Sequence, residues 1–470
     1  MNKATIDLTV WQNRWRGMDA AMTDWLQRTA GNQPGFDRQE TLTSLLAGLQ
    51  AFGASQMNFF LRGLSPSPQY RLEPSAEYPW EYVFRTTIDQ IGFDLDVIQR
   101  AAHQRVPAIS SSAMRKTLDL ADRLAYRALQ PALEGGLIDH ATTVVTYFQK
   151  SISVRLTPYA PVVMVGIPYN AIDHPRDLLA IPHEVGHYVF REGRVREGRF
   201  ADSRFAAALY SRFAHRPAWY NQWLEEIFAD MYGCLIAGPV IGLSFIELVT
   251  DDPLEDFLKQ DGEHPVDAVR PQIYFRVLER MGRFPHAVSK LRAHWHPLFI
   301  ERGNPQALSL PGVEQPLSMD AIASEMDEQI IAVLAQPDFL GKLLATAATP
   351  GQALWSDELD TTQTVEGLIK VFTAYCADVT PENTPLPELR RKGDETLIME
   401  TPATARSGAT AVSTQKLGAT GLWIDAIKEA ASRAAERKDP VFAVPPEIWS
   451  VLLDAGGWAT EGPGGGNPHK

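Results

Sequence analysis

The stretch from Leu178 to Phe190, LLAIPHEVGHYVF, limits what this chain can fold into more than any other part of the sequence. His183 and His187 lie four residues apart, and Glu184 directly follows the first histidine. Residues four apart share one face of an α-helix, so both imidazole rings can reach a single metal ion. Glu184 lies about 100° further round such a helix, beside the ion but not on it. The stretch therefore predicts a metal-binding helix.

The same spacing has a chemical meaning. In the H-E-x-x-H pattern the two histidines hold the ion, and the glutamate acts as general base on a metal-bound water. The alternative is an ordinary amphipathic helix with polar residues in these places. Chance alone produces one such match in a chain of this length on the order of 1% of the time. The metal interpretation therefore requires further ligands elsewhere in the chain.

A second apolar helical segment, WLEEIFADMYGCLIAGP, offers carboxylates at the matching spacing. Its residues Glu226 and Asp230 lie four apart and share a helix face. A catalytic zinc ion usually takes three protein ligands and keeps one position for water, so Glu226 is predicted to be the third ligand. Asp230 is predicted to accept a hydrogen bond from a ligand histidine and to fix its ring. A charged outer face is the alternative, but two carboxylates among so many apolar residues need partners.

Donors for a reaction intermediate are predicted further along the chain. The segment EHPVDAVRPQIY contains His264 and Arg270. Either side chain can donate a hydrogen bond to the oxyanion of a tetrahedral intermediate. A capping or surface pair is the alternative interpretation of these two residues.

Taken in order, the motifs HEVGH, EEIFADMYG and EHPVDAVRP resemble those of the gluzincin zinc metallopeptidases. The combination is similar to the CAAX prenyl protease family and its soluble relatives, over about residues 160–280. The resemblance implies a zincin-like fold, one Zn²⁺ ion per chain and hydrolysis of peptide bonds. It implies that zinc is bound by His183, His187 and Glu226 and that Glu184 is the general base. It also implies that Asp230 accepts a hydrogen bond from a ligand histidine, and that His264 and Arg270 assist the substrate and the oxyanion.

The resemblance also implies how a substrate binds. In the gluzincin fold an edge strand beside the metal helix pairs with the extended backbone of a peptide, with little regard to its sequence. The β-branched and apolar stretch PVVMVGIPY, residues 161–169, is predicted to be that strand. Tyr169 and Asn170, at its end, are candidates for the rim of the cleft.

Composition narrows the classes of partner. The 470 residues carry a formal net charge of −13, which argues against a nucleic-acid partner because phosphates repel an acidic chain. The longest uncharged run, residues 231–246, is shorter than the roughly 20 residues that span a bilayer. Gly238 and Pro239 also interrupt this run, so no membrane span is expected. Two cysteines and no recognisable signal peptide favour a cytoplasmic protein with reduced thiols.

The periodicity of apolar residues predicts an α+β chain that is mostly α-helical with a small sheet. We predict an N-terminal helical region at 1–140, a zincin-like catalytic domain at 141–350 and a C-terminal helical region at 351–470. The stretches TTVVTYF, SISVRLT and PVVMVGIPY are predicted to be strands. Residues 378–420 are rich in Pro, Thr, Ser, Ala and Gly and are predicted to form a flexible loop, followed by a last helix and a disordered tail.

One further histidine pair invites a metal interpretation. The sequence HWH places His294 and His296 on one side if this segment is extended. A second metal site is the less favoured interpretation; ordinary surface or core polar residues explain the pair better.

From these observations we predict a soluble zinc metallopeptidase acting on protein or peptide substrates. It is predicted to be an endopeptidase, because no feature indicates recognition of a free chain terminus. The alternative is a non-proteolytic zincin-fold protein that binds or regulates, although the presence of Glu184 argues against it. The N-terminal tryptophans Trp11, Trp15 and Trp25 are most simply core residues. They could also form a cap over the cleft or a docking surface for a regulatory partner.

Overall fold

The chain is mostly helical in a computed structural model, with several small sheets, which confirms the predicted α+β, mostly α-helical class. The structure describes residues 7–29, 35–63, 71–73, 80–138, 141–157, 159–197, 200–282, 284–334, 365–392, 396–400, 410–412 and 441–443.

The α-helices among these residues are numbered in chain order. They are α1 Leu8–Thr29, α2 Gln39–Gly63, α3 Trp80–His103, α4 Ser112–Glu134, α5 Ile181–Glu192, α6 Phe205–Arg212, α7 Ala218–Gln222, α8 Leu224–Ala237, α9 Pro239–Asp251, α10 Pro271–Met281, α11 Pro285–Glu301, α12 Met319–Leu334 and α13 Val365–Asp378. Short 3₁₀ turns lie at Tyr169–Ala171, Pro175–Leu178 and Leu254–Leu258. The helices α1 to α4 lie within residues 1–140, where the periodicity predicted helical structure.

The described strands are short and pair in small groups. They are β1 Arg71–Glu73, β2 Thr143–Gln149, β3 Ser153–Arg155, β4 Val162–Pro168, β5 Arg194–Glu197, β6 Phe200–Arg204, β7 Ala307–Leu308, β8 Leu317–Ser318, β9 Glu388–Lys392, β10 Thr396–Glu400, β11 Thr410–Val412 and β12 Val441–Ala443. Two sheets have three strands, in the orders β2-β4-β3 and β11-β10-β9, and the pairs β1-β12, β5-β6 and β7-β8 form the others.

The chain divides into two compact units that are each discontinuous in sequence. The first contains Met1–Arg115, Arg155–Met164 and Pro387–Lys470, and the second contains Lys116–Val154 and Val165–Leu386. The boundaries at residues 140 and 350 stay a prediction. They were proposed for regions of different function, and the two units are defined only by how compactly the chain packs. Both helices of the proposed metal site, α5 and α8, belong to the second unit.

In the first unit, α1, α2 and α3 pack through large side chains. Trp11 of α1 is buried and stacks on Phe84 of α3, with ring centroids 5.6 Å apart. Gly53 of α2 makes room for the ring of Trp15, because a Cβ at this position would lie 2.5 Å from that ring. Trp11 is therefore a core residue, as the simpler interpretation of the N-terminal tryptophans predicted.

In the second unit, α5 and α8 approach closely because small residues meet between them. A Cβ on Gly186 of α5 would lie 2.9 Å from Cα of Ala229 on α8. A Cβ on Gly233 of α8 would lie 3.6 Å from the backbone nitrogen of His183. Contacts as short as the first essentially require glycine, since backbone atoms cannot move aside cheaply. Because the two helices are so close, side chains from the facing surfaces of α5 and α8 can contact each other.

The three predicted strands at 141–169 are confirmed as β2, β3 and β4. However, β4 lies between β2 and β3 in the sheet, so its backbone is paired on both sides. The expectation that PVVMVGIPY is an edge strand available to a substrate is therefore wrong. The apolar run could not indicate this position. Six of the seven residues of β4 are buried, but burial of a strand's faces does not determine its neighbours, because strand order depends on pairing with distant segments.

The C-terminal region differs in part from the flexible loop predicted at 378–420. The described part of this segment contains β9, β10 and β11, which pair antiparallel. The loop prediction relied on composition and did not take into account that Leu389 of β9 is fully buried and anchors the strand. The predicted last helix at 422–439 and the predicted disordered tail lie outside the described residues.

No helix in the described part of the chain is both long enough and apolar enough to cross a bilayer. Cys234 and Cys376, the two cysteines of the sequence, are both described and buried, and neither forms a disulfide.

Candidate metal centre

The candidate metal centre is built from the first two turns of α5 and the first turn of α8. His183 and His187 lie on α5, which begins at Ile181 with Pro182 in its first turn, a position that suits proline because no helical partner is lost. Glu226 lies in the first turn of α8. The helix predicted for the stretch around His183 and His187 is therefore confirmed.

The three predicted ligand residues come together. Nε2 of His183 lies 3.1 Å from Nε2 of His187. The Glu226 carboxylate lies 3.5 Å from the first of these nitrogens and 3.4 Å from the second. Ligand atoms held tetrahedrally at zinc–ligand distances of about 2.0–2.1 Å are about 3.3 Å apart. The spacing in the protein matches this value, so the group of three can hold a metal ion.

Each of the two histidines has a carboxylate next to its other ring nitrogen, Nδ1. Nδ1 of His183 lies 2.9 Å from Oδ1 of Asp230, and Nδ1 of His187 lies 3.0 Å from Oε1 of Glu225. The alignment of the His183 ring with Asp230 is imperfect, although the separation is short. Without a metal ion, burial lowers the pKa of His187, but Glu226 and Glu225 outweigh burial and raise this pKa to about 9, so the imidazole carries a positive charge. When Asp230 and Glu225 accept hydrogen bonds from the Nδ1–H groups, both Nε2 atoms face each other and Glu226, and a metal ion can take the place of the proton there. The site therefore attracts a cation.

Glu184 lies beside the ligand histidines and is nearly inaccessible, with 4% of its surface exposed. Burial raises the pKa of its carboxyl above the ordinary value, and the repulsion from Glu226 adds to this, while His183, His187 and the backbone N–H of Val154 act in the opposite direction. A carboxylate whose pKa is raised towards neutrality is better able to take and release a proton.

Arg270 lies behind the ligands and binds carboxylates. Its Nε donates to Oδ2 of Asp230 at 2.8 Å, and its Nη2 donates to Oδ1 of Asp230 and to Oε2 of Glu226, each at 2.9 Å. The hydroxyl of Tyr274 donates to Oδ1 of Asp230 at 2.6 Å. The aromatic ring of Phe245 covers the guanidinium at 4.8 Å. The structure therefore brings Arg270 to the site, with its donors directed at the carboxylates of α8.

His264 reaches the site from the loop before α10. Its Nδ1 lies 2.5 Å from Oδ2 of Asp261, and its Nε2 lies 3.1 Å from Oε1 of Glu226. Burial lowers the pKa of His264, but the hydrogen bonds to Asp261 and Glu226 outweigh burial and raise the pKa to about 10. His264 is therefore a charged donor next to the ligand carboxylate.

These cations keep the carboxylates of α8 ionised. Burial raises the pKa of Glu226, but the charges of His187 and Arg270 outweigh burial and hold that pKa well below its ordinary value. The same competition lowers the pKa of Asp230 to about 2, with Arg270 as its largest stabilising partner. Both side chains are thus negative at neutral pH, as a ligand and its supporting group should be.

Three polar residues of the centre were not found from the sequence: Glu225, Asp261 and Tyr274. Glu225 is the first of the two glutamates in EEIFAD, and Tyr274 follows Arg270 by one helical turn. The signal for Tyr274 was a polar group at helical spacing from a predicted site residue, whereas Glu225 was only adjacent to one. Asp261 lies in a loop, three residues before His264, where no periodicity could have indicated it.

Other residues that drew attention lie elsewhere or have ordinary roles. Tyr169 is 52% exposed and stacks on Phe148 at 5.2 Å. His294 and His296 lie on α11, not on an extended segment, so they point about 200° apart. The one-sided geometry expected for this pair is therefore wrong, and the sequence alone gave no helix signal strong enough to exclude it.

No protein-family model, no curated protein and no solved structure matches the chain.

Proposed function

We propose that this chain is a zinc-dependent metallopeptidase, an endopeptidase with a zincin-like catalytic core. The observation that carries the proposal is the convergence of His183, His187 and Glu226 with a buried Glu184 beside them. Two imidazoles and one carboxylate are the donor set of a catalytic zinc site that keeps a position for water. Magnesium and calcium prefer sets made only of oxygen, so zinc is the better match.

When bound, the zinc ion lowers the pKa of a coordinated water and polarises the scissile carbonyl. Glu184 accepts a proton from the attacking water and delivers it to the leaving amine, a role for which its raised pKa is suited. Asp230 fixes the proton of His183 on Nδ1.

His264 and Arg270 take different parts in the proposal. His264 is charged and partly exposed, with 14% of its side chain accessible. Its Nε2 faces Glu226 at 3.1 Å and would turn from this carboxylate to donate to the oxyanion of the intermediate. Arg270 has its Nε and Nη2 committed to Asp230 and Glu226, so it acts by holding these carboxylates in place.

The substrate in this proposal is a protein or peptide. The strand β3 lies at an edge of its sheet, and its Val154 N–H contributes to the environment of Glu184, so β3 takes over the substrate-pairing role once expected of β4. The acidic composition and the two free cysteines suit a cytoplasmic enzyme. A regulatory partner acting through the N-terminal helices is part of the same proposal.

A non-proteolytic zincin-fold protein is the second candidate. The observation that favours it is the small exposure of the site, since His187 and Glu226 are 8% and 7% exposed. A binding protein needs no route for a substrate to the ion.

The test compares the full-length protein with its E184Q, E226A and E279Q variants. Metal content is measured by elemental mass spectrometry, and cleavage is measured with a fluorescence-quenched library of random peptides. We expect one zinc per chain in the wild type and in E184Q, and little in E226A. E184Q should cleave at least about 100-fold more slowly, because general acid–base catalysis contributes that much or more. E279Q changes an exposed glutamate of α10 and should behave as the wild type.

The outcomes separate the candidates. A well-folded wild type that takes up no zinc when zinc is supplied contradicts both. Zinc binding without any cleavage, and with E184Q indistinguishable from the wild type, favours the non-proteolytic protein. Cleavage that depends on zinc and on Glu184 supports the peptidase.

A further inference from the structure

Glu225 directly precedes the predicted ligand Glu226, yet its carboxylate faces the other helix. Its Oε1 lies 3.0 Å from Nδ1 of His187 and 2.7 Å from Nε of Arg191. Only 13% of its side chain is exposed. His187 and Arg191 are four residues apart on α5 and share a face, so a single oxygen can accept a hydrogen bond from each.

The hydrogen bond from His187 decides which ring nitrogen is available to a metal. A carboxylate at Nδ1 keeps the proton there and leaves the lone pair on Nε2. That Nε2 is the atom 3.1 Å from Nε2 of His183 and 3.4 Å from Oε1 of Glu226. Without an acceptor at Nδ1, the ring of His187 could carry its proton on Nε2 or turn away, and either change weakens metal binding.

Arg191 supplies the charge that allows Glu225 to remain in place. A carboxylate that is largely removed from water is costly unless a cation pairs with it. Arg191 donates through Nε, and its own side chain is 28% exposed, so it links the interior carboxylate to the surface. The guanidinium also fixes the direction of Oε1, because a hydrogen bond to a charged donor is strong and directional.

The same arrangement occurs at the other ligand histidine. Asp230 faces Nδ1 of His183 at 2.9 Å and is in turn bound by Arg270. Each ligand histidine therefore has its own carboxylate from α8, and each carboxylate has its own arginine. Asp230 was predictable from its spacing to Glu226, whereas Glu225 was found only in the structure.

We propose that Glu225, anchored by Arg191, is a positioning residue that holds His187 in the orientation needed to bind the metal ion. This inference rests on the proposed function, since it concerns how the same site holds its zinc. It adds a second carboxylate–histidine pair to the one formed by Asp230 and His183.

The first measurement is zinc affinity, determined by competition with a chromophoric chelator on the full-length protein. In E225A we expect zinc binding to weaken by about 10–100-fold, the usual result of losing such a partner. In E225Q we expect a smaller loss, because the amide oxygen still accepts from Nδ1 but carries no charge. E279A, which removes an exposed glutamate of α10, is the control and should bind zinc as the wild type does.

The second measurement reports on the hydrogen bond itself. With cobalt(II) in place of zinc, the exchangeable Nδ1 protons of the two ligand histidines give shifted proton NMR signals. We expect the His187 signal to broaden or disappear in E225A through exchange with water, while the His183 signal remains. A purely structural role of Glu225 would lower the melting temperature of the metal-free protein but would leave both signals in place.

The results distinguish this inference from the proposed function. A wild type that binds neither zinc nor cobalt overturns the proposed function and this inference with it. A wild type that binds one ion, together with an E225A variant that keeps the affinity and both signals, overturns the role of Glu225 only. If E225A does not fold, E225M, which fills the same space but offers Nδ1 no oxygen acceptor, carries the test, and unchanged zinc affinity in E225M overturns the proposal.

Discussion

Each compact unit buries an aspartate against an arginine, and the two aspartates differ in their pKa. In the first unit, Nε of Arg155 donates to Oδ1 of Asp94 at 2.5 Å. In the second unit, Asp230 accepts hydrogen bonds from Arg270 at 2.8 and 2.9 Å and from Tyr274 at 2.6 Å. The two carboxyls are equally deep, since Asp94 is 2% exposed and Asp230 is fully buried at 0%.

The charged partners decide the sign of the shift. Burial raises the pKa of Asp94, and Arg155 together with a hydrogen bond from Tyr159 does not overcome it, so that pKa lies above the ordinary value. Burial also acts on Asp230, but Arg270 and His183 outweigh it and lower the pKa to about 2. The pair in the first unit is an ordinary buried ion pair, whereas the network in the second keeps a carboxylate ionised beside a candidate ligand. The predictions that follow test this difference.

The largest expected effect is the loss of Arg270. R270M leaves Asp230 buried without its main cation and removes one of the cations beside Glu226. Breaking a buried pair in this way costs about 3–5 kcal/mol of unfolding free energy. R155M leaves only Asp94, whose raised pKa allows it to take up a proton, so its loss should be smaller. Urea unfolding at neutral pH in the presence of a chelator measures both.

A second feature separates the two variants. The deficit of R155M should shrink when the pH is lowered towards 5, because protonation of Asp94 removes the unpaired charge. The deficit of R270M should shrink less, because His183 remains beside Asp230 and still favours its charged form. Equal losses with the same pH dependence would contradict the distinction between the two aspartates.

The next largest effect is expected when a glycine inside a helix is replaced by alanine, once in each unit. G186A places a Cβ 2.9 Å from the backbone of Ala229, so α5 and α8 must separate at the candidate site. Such overpacking costs about 1–3 kcal/mol of stability, and we expect zinc binding to weaken with it. The control is G17A on α1, where nothing lies within 4 Å of the added Cβ. Because alanine favours helices, G17A should gain roughly 0.5–1 kcal/mol.

Thermal unfolding and zinc titration of both glycine variants provide the measurement. A G186A protein with unchanged stability and unchanged zinc affinity would mean that the close approach of the two helices is not required. Loss of stability in G17A would indicate that α1 packs against something at this position.

The smallest effect is the pH dependence of stability. A raised pKa means that Asp94 contributes stability below its unfolded pKa of about 3.9 and loses this contribution as pH rises through the folded value. The unfolding free energy of the wild type minus that of D94N should therefore fall between pH 4 and pH 7. For Asp230 the sign is opposite: its contribution is present above about 3.9 and is lost as pH falls towards 2.

Unfolding in urea at several pH values, with metal removed, tests both signs. Subtracting the variant from the wild type at each pH removes the titration of all other groups. If the contributions of Asp94 and Asp230 to the unfolding free energy both rose or both fell with pH, the opposite pKa shifts of the two aspartates would be contradicted.

Most of the site residues that could be predicted were predicted from their spacing along the sequence. His183, His187, Glu226 and Asp230 were predictable because residues four apart on a helix share a face, and this rule needs no knowledge of the fold. The strands β2, β3 and β4 were predictable from β-branched runs. The position of β4 inside the sheet was not, because strand order depends on pairing between distant segments.

The sequence by itself determined which side chains could bind a metal ion and that helices would carry them. Only the tertiary structure decided that α5 and α8 meet at Gly186 and Ala229, which brings the Glu226 carboxylate to 3.4 Å from His187. It also decided that Glu225 faces His187 and that Arg270 binds Asp230. The reason is physical: helical periodicity is set within a few residues, whereas distances between helices are set by the packing of side chains from far apart in the chain.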